Sequence, residues 1–227
     1  MELKGTEKIN LFDDELTLLP QRAVYLEKHK TLLASDLHLG KSGHFRNAGI
    51  AVPSQLAFTD LDILTGILNE FNVDRLIILG DLFHAKMNSD WKFFEEWRNK
   101  HSQLQIELVK GNHDVLIDEY YNELNILLHN EFCVFNKFLL THSTPEESAV
   151  KNESCSYTIS GHVHPAVRLM GKGRQSVTLP CFYFSEKYAL LPAFGRFTGK
   201  AIIPVTKKDK VYVIVETEGE EKVLPVK

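Results

Sequence analysis

Cysteine is scarce in this sequence, and the few cysteines exclude two architectures that are common in small proteins. The 227 residues include three of them, Cys133, Cys155 and Cys181, an odd number with no C-x-x-C spacing. They provide neither a disulfide framework nor a zinc knuckle of paired cysteines, so a reducing compartment is the expected environment.

Long apolar runs are absent as well. No stretch approaches the roughly 18 apolar residues that a membrane span requires. The first ten residues carry Glu2, Lys4, Glu7 and Lys8 in place of an apolar signal core. We therefore expect a soluble, cytoplasmic protein that does not associate with a membrane.

Neither sign of charge is in large excess. The chain has 26 Lys and Arg residues against 30 Asp and Glu residues, which gives a net charge of −4. This excludes a general basic coat for nucleic acid, although not a local basic groove. The hydrophobic content of 44% excludes a disordered chain. Since no linker or repeat divides the sequence, we expect one domain over residues 1–227.

The residue pattern of the first half predicts strands and helices in alternation. Short apolar runs end in polar turns, and stretches with helical spacing lie between them. The second half reads mostly as strands with short connections. The pattern predicts an α/β fold with strands at 23–26, 31–34, 75–79, 105–109, 132–135, 138–141, 157–160, 177–184, 188–191, 201–205 and 211–215, and with helices at 53–71 and around 91–97.

Histidine is abundant, with ten residues, and most of the polar clusters that follow a predicted strand contain it. Strand ends at one edge of an α/β sheet are the usual place for a ligand site. Residues two apart in an extended chain point to the same side, so an Asp-x-His or His-x-His pair can reach one ion. The clusters are Asp36-x-His38, Gly80-Asp81, Gly111-Asn112-His113-Asp114, Thr141-His142 and Gly161-His162-x-His164.

Each cluster alone has a simpler interpretation. A Gly-Asp pair is usually a turn, Asn112 or Asp114 could cap a helix, and His142 could be a buried structural histidine. Five such clusters at strand ends are harder to attribute to chance. Carboxylate, imidazole and amide ligands together suit divalent metals such as Mn, Fe or Zn.

In this order the clusters resemble the full signature of the calcineurin-like metallophosphoesterases, over about residues 32–165. A narrower resemblance, to the bacterial DNA-ligase-associated metallophosphoesterases (the PdeM family), extends to about residue 200. It rests on S-D-L-H-L-G-K at 35–41, F-R-x-A-G-I-x-V-P at 45–53, G-D-L-F-H at 80–84 and L-P-A-F-G-x-F-T-G at 191–199. The resemblance implies a sandwich of two mixed β-sheets flanked by helices.

The resemblance also implies two divalent cations, manganese first and iron or zinc as alternatives. His113 would protonate the leaving oxygen without binding metal, and Asp114 would orient His113. The two implied metal sites share one carboxylate, with Asp36, His38, Asp81 and His164 in the first and Asp81, Asn112, His142 and His162 in the second.

Three further residues are candidates for substrate binding. Lys41 and Arg46 lie in the loop after the first metal motif, where cations could bind phosphate, and His84 closely follows Asp81. Other cations, at positions 172, 174, 196, 200, 207, 208 and 210, are scattered, and a solvated face explains them equally well. His29 and His101 read as solvated histidines, and the sequence indicates no partner for His129.

The predicted function is hydrolysis of phosphodiester bonds by a dinuclear metal centre. The narrower resemblance implies a nuclease that acts on DNA in repair, with a DNA ligase and a helicase as partners. The same motifs would serve a small-molecule phosphodiesterase or pyrophosphatase acting on cyclic nucleotides, nucleotides or aryl esters. A non-catalytic scaffold is the third alternative, and the retention of His113 and of all seven ligands argues against it.

Overall fold

The computed structural model describes residues 4–41, 56–83, 89–144, 154–171, 173 and 175–226. Two β-sheets face each other in this part of the chain. The first has seven strands in chain order, and the second has nine, of which β12 pairs with both β13 and β15. No helix in the described ranges is long and apolar enough to cross a membrane.

The first sheet contains both hairpins and parallel strands. Strands β1 to β4 form an antiparallel meander, and β4 to β7 are parallel. Its strands are β1 (Glu7–Leu11), β2 (Asp14–Leu19), β3 (Ala23–Leu26), β4 (Thr31–Ala34), β5 (Arg75–Leu79), β6 (Gln105–Val109) and β7 (Ile126–His129).

The second sheet is mixed in the same way. Strands β9, β10 and β13 are parallel, and the remaining pairs are antiparallel except for β11 with β14. Its strands are β8 (Phe132–Phe135), β9 (Phe138–Thr141), β10 (Tyr157–Ser160), β11 (Pro165–Met170), β12 (Ser176–Phe184), β13 (Tyr188–Leu190), β14 (Ala201–Ile202), β15 (Lys210–Thr217) and β16 (Glu220–Pro225).

Within the described ranges, three α-helices cover the outer face of the first sheet: α1 (Leu56–Glu70), α2 (Ser89–Lys100) and α3 (Asp118–Glu123). A 3₁₀ turn, Glu27–His29, joins β3 to β4. The apolar face predicted for the first helix is buried, as are the three aromatic residues of the second. These buried side chains are Leu61, Leu64, Ile67 and Phe71, followed by Trp91, Phe94 and Trp97.

Strand β5 shows why the central strands are apolar throughout. Its side chains alternate between two cores, with Leu76 and Ile78 against the helices and Ile77 and Leu79 against the second sheet. Both faces are therefore removed from water, as expected of a parallel strand between two layers. The predicted α/β sandwich of two mixed sheets is confirmed.

Several strands are missing from the sequence prediction or differ from it in length. Strands β1, β2, β7, β11 and β16 were not predicted. The strand predicted at 201–205 ends at Ile202, and the one predicted at 211–215 extends over Lys210–Thr217. Strand β1 alternates half-buried and exposed positions, and its residues include Glu7 and Lys8. Because an edge strand needs only one buried face, its apolar signal is weak.

Candidate metal centre

The predicted clusters lie at one edge of the sandwich. Strands β4, β5 and β6 are parallel neighbours in the first sheet, and β9 and β10 are parallel neighbours in the second. Each of these strands ends at that edge and is followed by one cluster. Convergence thus follows from the pairing of parallel strands, although the residues lie up to 128 positions apart in the sequence (36 to 164).

A first group of ligand atoms comes from Asp36, His38 and His164, all within 4.8 Å of one another. Nε2 of His164 lies 3.2 Å from Oδ1 of Asp36 and 3.4 Å from Nε2 of His38. Asp36 is completely buried. Burial opposes ionisation of its carboxyl, but the adjacent His164 and the nearby imidazoles of His142 and His38 lower its pKa overall. The group therefore presents an ionised carboxylate and two imidazoles.

A second group consists of Asp81, His142 and His162, again within 4.8 Å of one another. Nε2 of His142 lies 3.0 Å from Nδ1 of His162 and 3.0 Å from Oδ1 of Asn112. The amide oxygen of Asn112 thus adds a fourth ligand atom to this group.

Asp81 lies between the two groups. Its Oδ2 is 3.7 Å from Nε2 of His38, and its Oδ1 is 3.5 Å from Nε2 of His142. Each oxygen of one buried carboxylate therefore faces the imidazole of a different group. This is the arrangement expected of a carboxylate that bridges two ions.

Backbone carbonyl groups orient two of the imidazoles. Nδ1 of His142 lies 2.9 Å from the carbonyl oxygen of Leu79, and Nδ1 of His164 lies 3.2 Å from that of Gly199. A ring that donates its Nδ1–H to a carbonyl has an unprotonated Nε2, which is the form that binds metal. Both Nε2 atoms point into the groups described above.

Five of the seven predicted ligands have a left-handed backbone. Left-handed φ values cost a residue with a side chain about 1 kcal/mol each, and such strain collects at functional sites. A fold retains several of them in one place only where the side-chain positions are needed. These residues are Asp36 (φ 54°), His38 (48°), Asp81 (53°), His162 (67°) and His164 (53°).

Two glycines allow the close packing of this edge. Gly80 has φ 80°, and a Cβ atom there would overlap the ring of His142. A Cβ atom at Gly111 would overlap the carboxylate of Asp81 and lie 2.6 Å from its backbone nitrogen. Together with the oxygen and nitrogen donors and the strained backbone, this packing fits two divalent cations of intermediate hardness.

His113 lies beside the two groups without being part of either. Its ring centroid is 5.3 Å from that of His38, and its backbone N–H donates to Oδ1 of Asp81 at 2.9 Å. The side chain is half-buried, so one part of the imidazole faces the open edge. This position suits a group that acts on a phosphate bound at the centre.

The predicted role of Asp114 is to orient His113, and the structure shows which groups its carboxylate binds. The buried carboxylate accepts hydrogen bonds from four backbone N–H groups at 2.8–3.3 Å, those of Asp81, Leu82, Phe83 and Gly111. It therefore holds the turn that carries Asp81 against the turn that carries His113. Burial, together with the charge of Asp81, raises the pKa of Asp114 to about 6.

Of the predicted substrate-binding residues, the structure describes Lys41, while Arg46 and His84 lie outside the described residues. Lys41 is half-buried and lies three residues after His38 in the sequence. Burial lowers the pKa of its ammonium group, and the charges of Asp81 and Asp36 oppose this shift. The cation is therefore close enough to the centre to interact with both carboxylates.

The segment after β13 contributes to the site, and sequence reasoning assigned it no role. The backbone N–H groups of Phe194 and Gly195 donate to the carbonyl oxygens of Ser35 and Asp36. Further along, the carbonyl of Gly199 binds His164. The segment thus supports both ends of the first group. The sequence analysis used the motif at 191–199 for the narrower resemblance, but the motif alone predicts no contact with the first group.

Comparisons with known proteins agree with this geometry. The family model for calcineurin-like phosphoesterases matches residues 29–142. The crystal structure of Pseudomonas putida nuclease MPE is 30% identical, with a TM-score of 0.78 over 97% of this chain and 100% of that chain.

Two more distant structures were also found. The protein of unknown function AQ665 from Aquifex aeolicus is 20% identical, with a TM-score of 0.42 over 59% of this chain and 78% of that chain. The zinc complex of Vps29 from Entamoeba histolytica is 15% identical, with a TM-score of 0.39 over 86% of this chain and 97% of that chain. No curated protein matches the chain. The family model and the full-length match to a nuclease establish that this chain is a metal-dependent phosphoesterase and belongs to the calcineurin-like phosphoesterase family.

Proposed function

We propose that this chain is a dinuclear-metal phosphodiesterase whose substrate is nucleic acid. The position of Asp81 supports the dinuclear centre most directly, because its two oxygens face imidazoles of different groups at 3.5 and 3.7 Å. Asp36, His38, Asp81, Asn112, His142, His162 and His164 would hold the two divalent ions, which would supply positive charge beside a phosphate and increase the acidity of a water molecule. Proton donation and binding of the flanking phosphate are assigned to protein residues.

His113 is the general acid of this proposal. Its imidazole lies next to His38 but outside both groups of ligand atoms, so it can donate a ring N–H proton to the oxygen that leaves the phosphorus. The hydrogen bond from its backbone to Asp81 fixes its distance from the centre. Asp114 keeps this geometry by holding both turns through backbone amides, and it has no contact with the substrate in this proposal.

Lys41 binds phosphate in this proposal. The charges of Asp81 and Asp36 act on its ammonium group, and its backbone N–H donates to the carbonyl oxygen of His38, a member of the first group, at 3.2 Å. A cation in this place neutralises a phosphate next to the one being cleaved. Arg46 and His84 complete the proposed substrate contacts from their sequence positions.

The choice of nucleic acid rests on similarity. The full-length likeness to a nuclease supports a polynucleotide substrate, and the narrower resemblance supports a role in DNA repair beside a DNA ligase and a helicase. The oxygen and nitrogen ligands support manganese as the resident metal, with iron and zinc as alternatives.

An activity panel with manganese tests the substrate. Single-stranded DNA, duplex DNA, a cyclic nucleotide and a chromogenic aryl phosphodiester are compared at equal enzyme concentration, and the panel is repeated with iron and zinc. We expect DNA cleavage at least as efficient as hydrolysis of the small ester. Hydrolysis of the small esters without any cleavage of DNA would favour the small-molecule phosphodiesterase instead.

Metal analysis tests the dinuclear centre separately. We expect about two ions per wild-type chain and the loss of both in Asp81→Ala, since that carboxylate serves both groups. The matched control is Asp62→Ala, at an exposed position of α1 that belongs to neither group of ligand atoms. One remaining ion in Asp81→Ala would contradict the bridging role.

A further inference from the structure

A third group of metal-ligand side chains lies away from the candidate metal centre, where the chain passes from the first sheet to the second. It consists of Glu107 on β6, His129 at the end of β7 and Cys133 on β8, with ligand atoms within 4.8 Å of one another. Oε2 of Glu107 lies 2.8 Å from Nε2 of His129 and 3.7 Å from Sγ of Cys133.

The surroundings hold this group in position. Glu107 and Cys133 are buried, whereas the side chain of His129 is 24% exposed. Nε of Arg75 donates to Oε1 of Glu107 at 2.5 Å, and the amide of Gln105 donates to the same oxygen at 3.1 Å. With Oε1 engaged in this way, Oε2 is directed to the imidazole and the thiol. A ligating carboxylate is typically oriented by such outer hydrogen bonds.

We propose that Glu107, His129 and Cys133 bind a zinc ion, with water as the fourth ligand on the exposed side of His129. In tetrahedral zinc sites, neighbouring oxygen, nitrogen and sulfur ligands lie roughly 3.3–3.6 Å apart. The two distances from Oε2 fall on either side of this range, so shifts of a few tenths of an ångström complete the site. Arg75 remains on Oε1 and does not compete for the ion.

The ligand set favours a different metal from the one proposed for the edge. Thiolate is a soft ligand that selects zinc over manganese, while the candidate metal centre offers only oxygen and nitrogen. Burial, with the charge of Glu107, raises the pKa of the Cys133 thiol to about 11. Binding therefore breaks the S–H bond, forms the S–Zn bond and releases one proton to solvent.

The position indicates a structural role. Strands β6 and β7 belong to the first sheet, while β8 is the terminal strand of the second and pairs with β9. An ion bound by all three strands joins the two sheets at this side of the sandwich. Since it binds the folded state and not the unfolded chain, zinc at about 100 times its Kd should raise the Tm by roughly 5–10 °C.

Cobalt(II) provides a spectroscopic test, because a cobalt–thiolate bond gives a charge-transfer band in the near ultraviolet. The candidate metal centre has no sulfur ligand, so cobalt bound there produces no such band. We expect the band when metal-depleted wild-type protein is titrated with cobalt, its loss on addition of zinc, and its absence in Cys133→Ser. Cys181→Ser, the same change at a buried cysteine outside the group, should keep it.

A second variant covers the case in which Cys133→Ser does not fold. His129→Ala removes the most exposed ligand, and it should weaken cobalt binding at the thiolate site about 100-fold. No thiolate band in the wild type at saturating cobalt, a band that persists in Cys133→Ser, or unchanged affinity in His129→Ala would each overturn the proposal. These results are independent of phosphodiesterase activity, so the proposed function stands or fails separately.

Discussion

Substitution of Gly111 by alanine tests the packing that positions Asp81. A Cβ atom at residue 111 would overlap the Asp81 carboxylate and lie 2.6 Å from the Asp81 backbone nitrogen. Ordinary contact requires about 3.4 Å, so the carboxylate has to move by about 1 Å and the two turns have to separate by about 0.8 Å. Both turns are tied to Asp114 by hydrogen bonds, so their separation strains these bonds and displaces the carboxylate of Asp81 at the same time.

The expected magnitudes follow from two separate effects. Overpacking of a tight site costs about 1–3 kcal/mol, which for a chain of this size lowers the Tm by roughly 2–12 °C. Misplacement of a positioning group by about 1 Å can cost on the order of 100-fold in rate. Because Asp81 serves both groups of ligands, we expect kcat/KM to fall about 100-fold or more together with the metal content.

The matched control is Gly66→Ala in α1. An added Cβ atom at Gly66 meets nothing within 4 Å, and the residue is exposed in a helix. Alanine there should stabilise the fold by about 0.5–1 kcal/mol and leave activity unchanged. Thermal melts, metal analysis and steady-state kinetics are measured on both variants. Wild-type turnover and metal content in Gly111→Ala would refute the reasoning about Asp81.

Three further predictions concern acid catalysis, pH dependence and substrate binding. His113→Ala should keep the metal content and lose about 10²–10⁴-fold in kcat on a substrate with a poor leaving group; full activity there would exclude the general acid role. Burial raises the pKa of Asp60 to about 6, above its unfolded value, so the folded state takes up a proton and stability falls as pH rises from about 4 to 6. Asp60→Asn should flatten this decline and increase the free energy of unfolding at pH 8 by up to about 3 kcal/mol, whereas Asp62→Asn should do neither. The same dependence of unfolding free energy on pH in both variants would contradict this prediction. Lys41→Ala should weaken cleavage of DNA more than hydrolysis of a chromogenic diester and reduce the salt dependence of DNA binding by about one unit of slope; equal losses on both substrates would instead place Lys41 in support of the metal centre.

The central part of the fold could be predicted from sequence because polar turns interrupt strongly apolar strands. The strands at 23–26 and 31–34 have the predicted bounds, and so do those at 75–79 and 105–109. These strands are buried on both faces and carry a continuous apolar signal. Strand β16, in contrast, contains Glu220, Glu221 and Lys222, because it lies at the end of the second sheet. Its pairing with β15 decides its structure more than its composition does.

Part of the candidate site, like part of the fold, could be predicted from the sequence. Residues at the ends of parallel strands could be assigned to one edge, because the direction of each strand follows from the alternation of elements. The backbone partners of Asp114 could not be predicted, since the N–H groups of Leu82 and Phe83 are not encoded by the identity of their side chains. The group around Glu107 was equally hidden, because the pairing of β6 with β7 and the passage to β8 bring its members together.

The left-handed ligands have an evolutionary consequence. Five strained residues at about 1 kcal/mol each amount to a large fraction of the 5–15 kcal/mol that keeps a typical domain folded. Glycine at Asp36, His38 or Asp81 would relieve the strain and abolish metal binding at the same time. Mutational drift in a copy freed from selection for catalysis would thus remove the ligands early, while the sandwich itself became more stable.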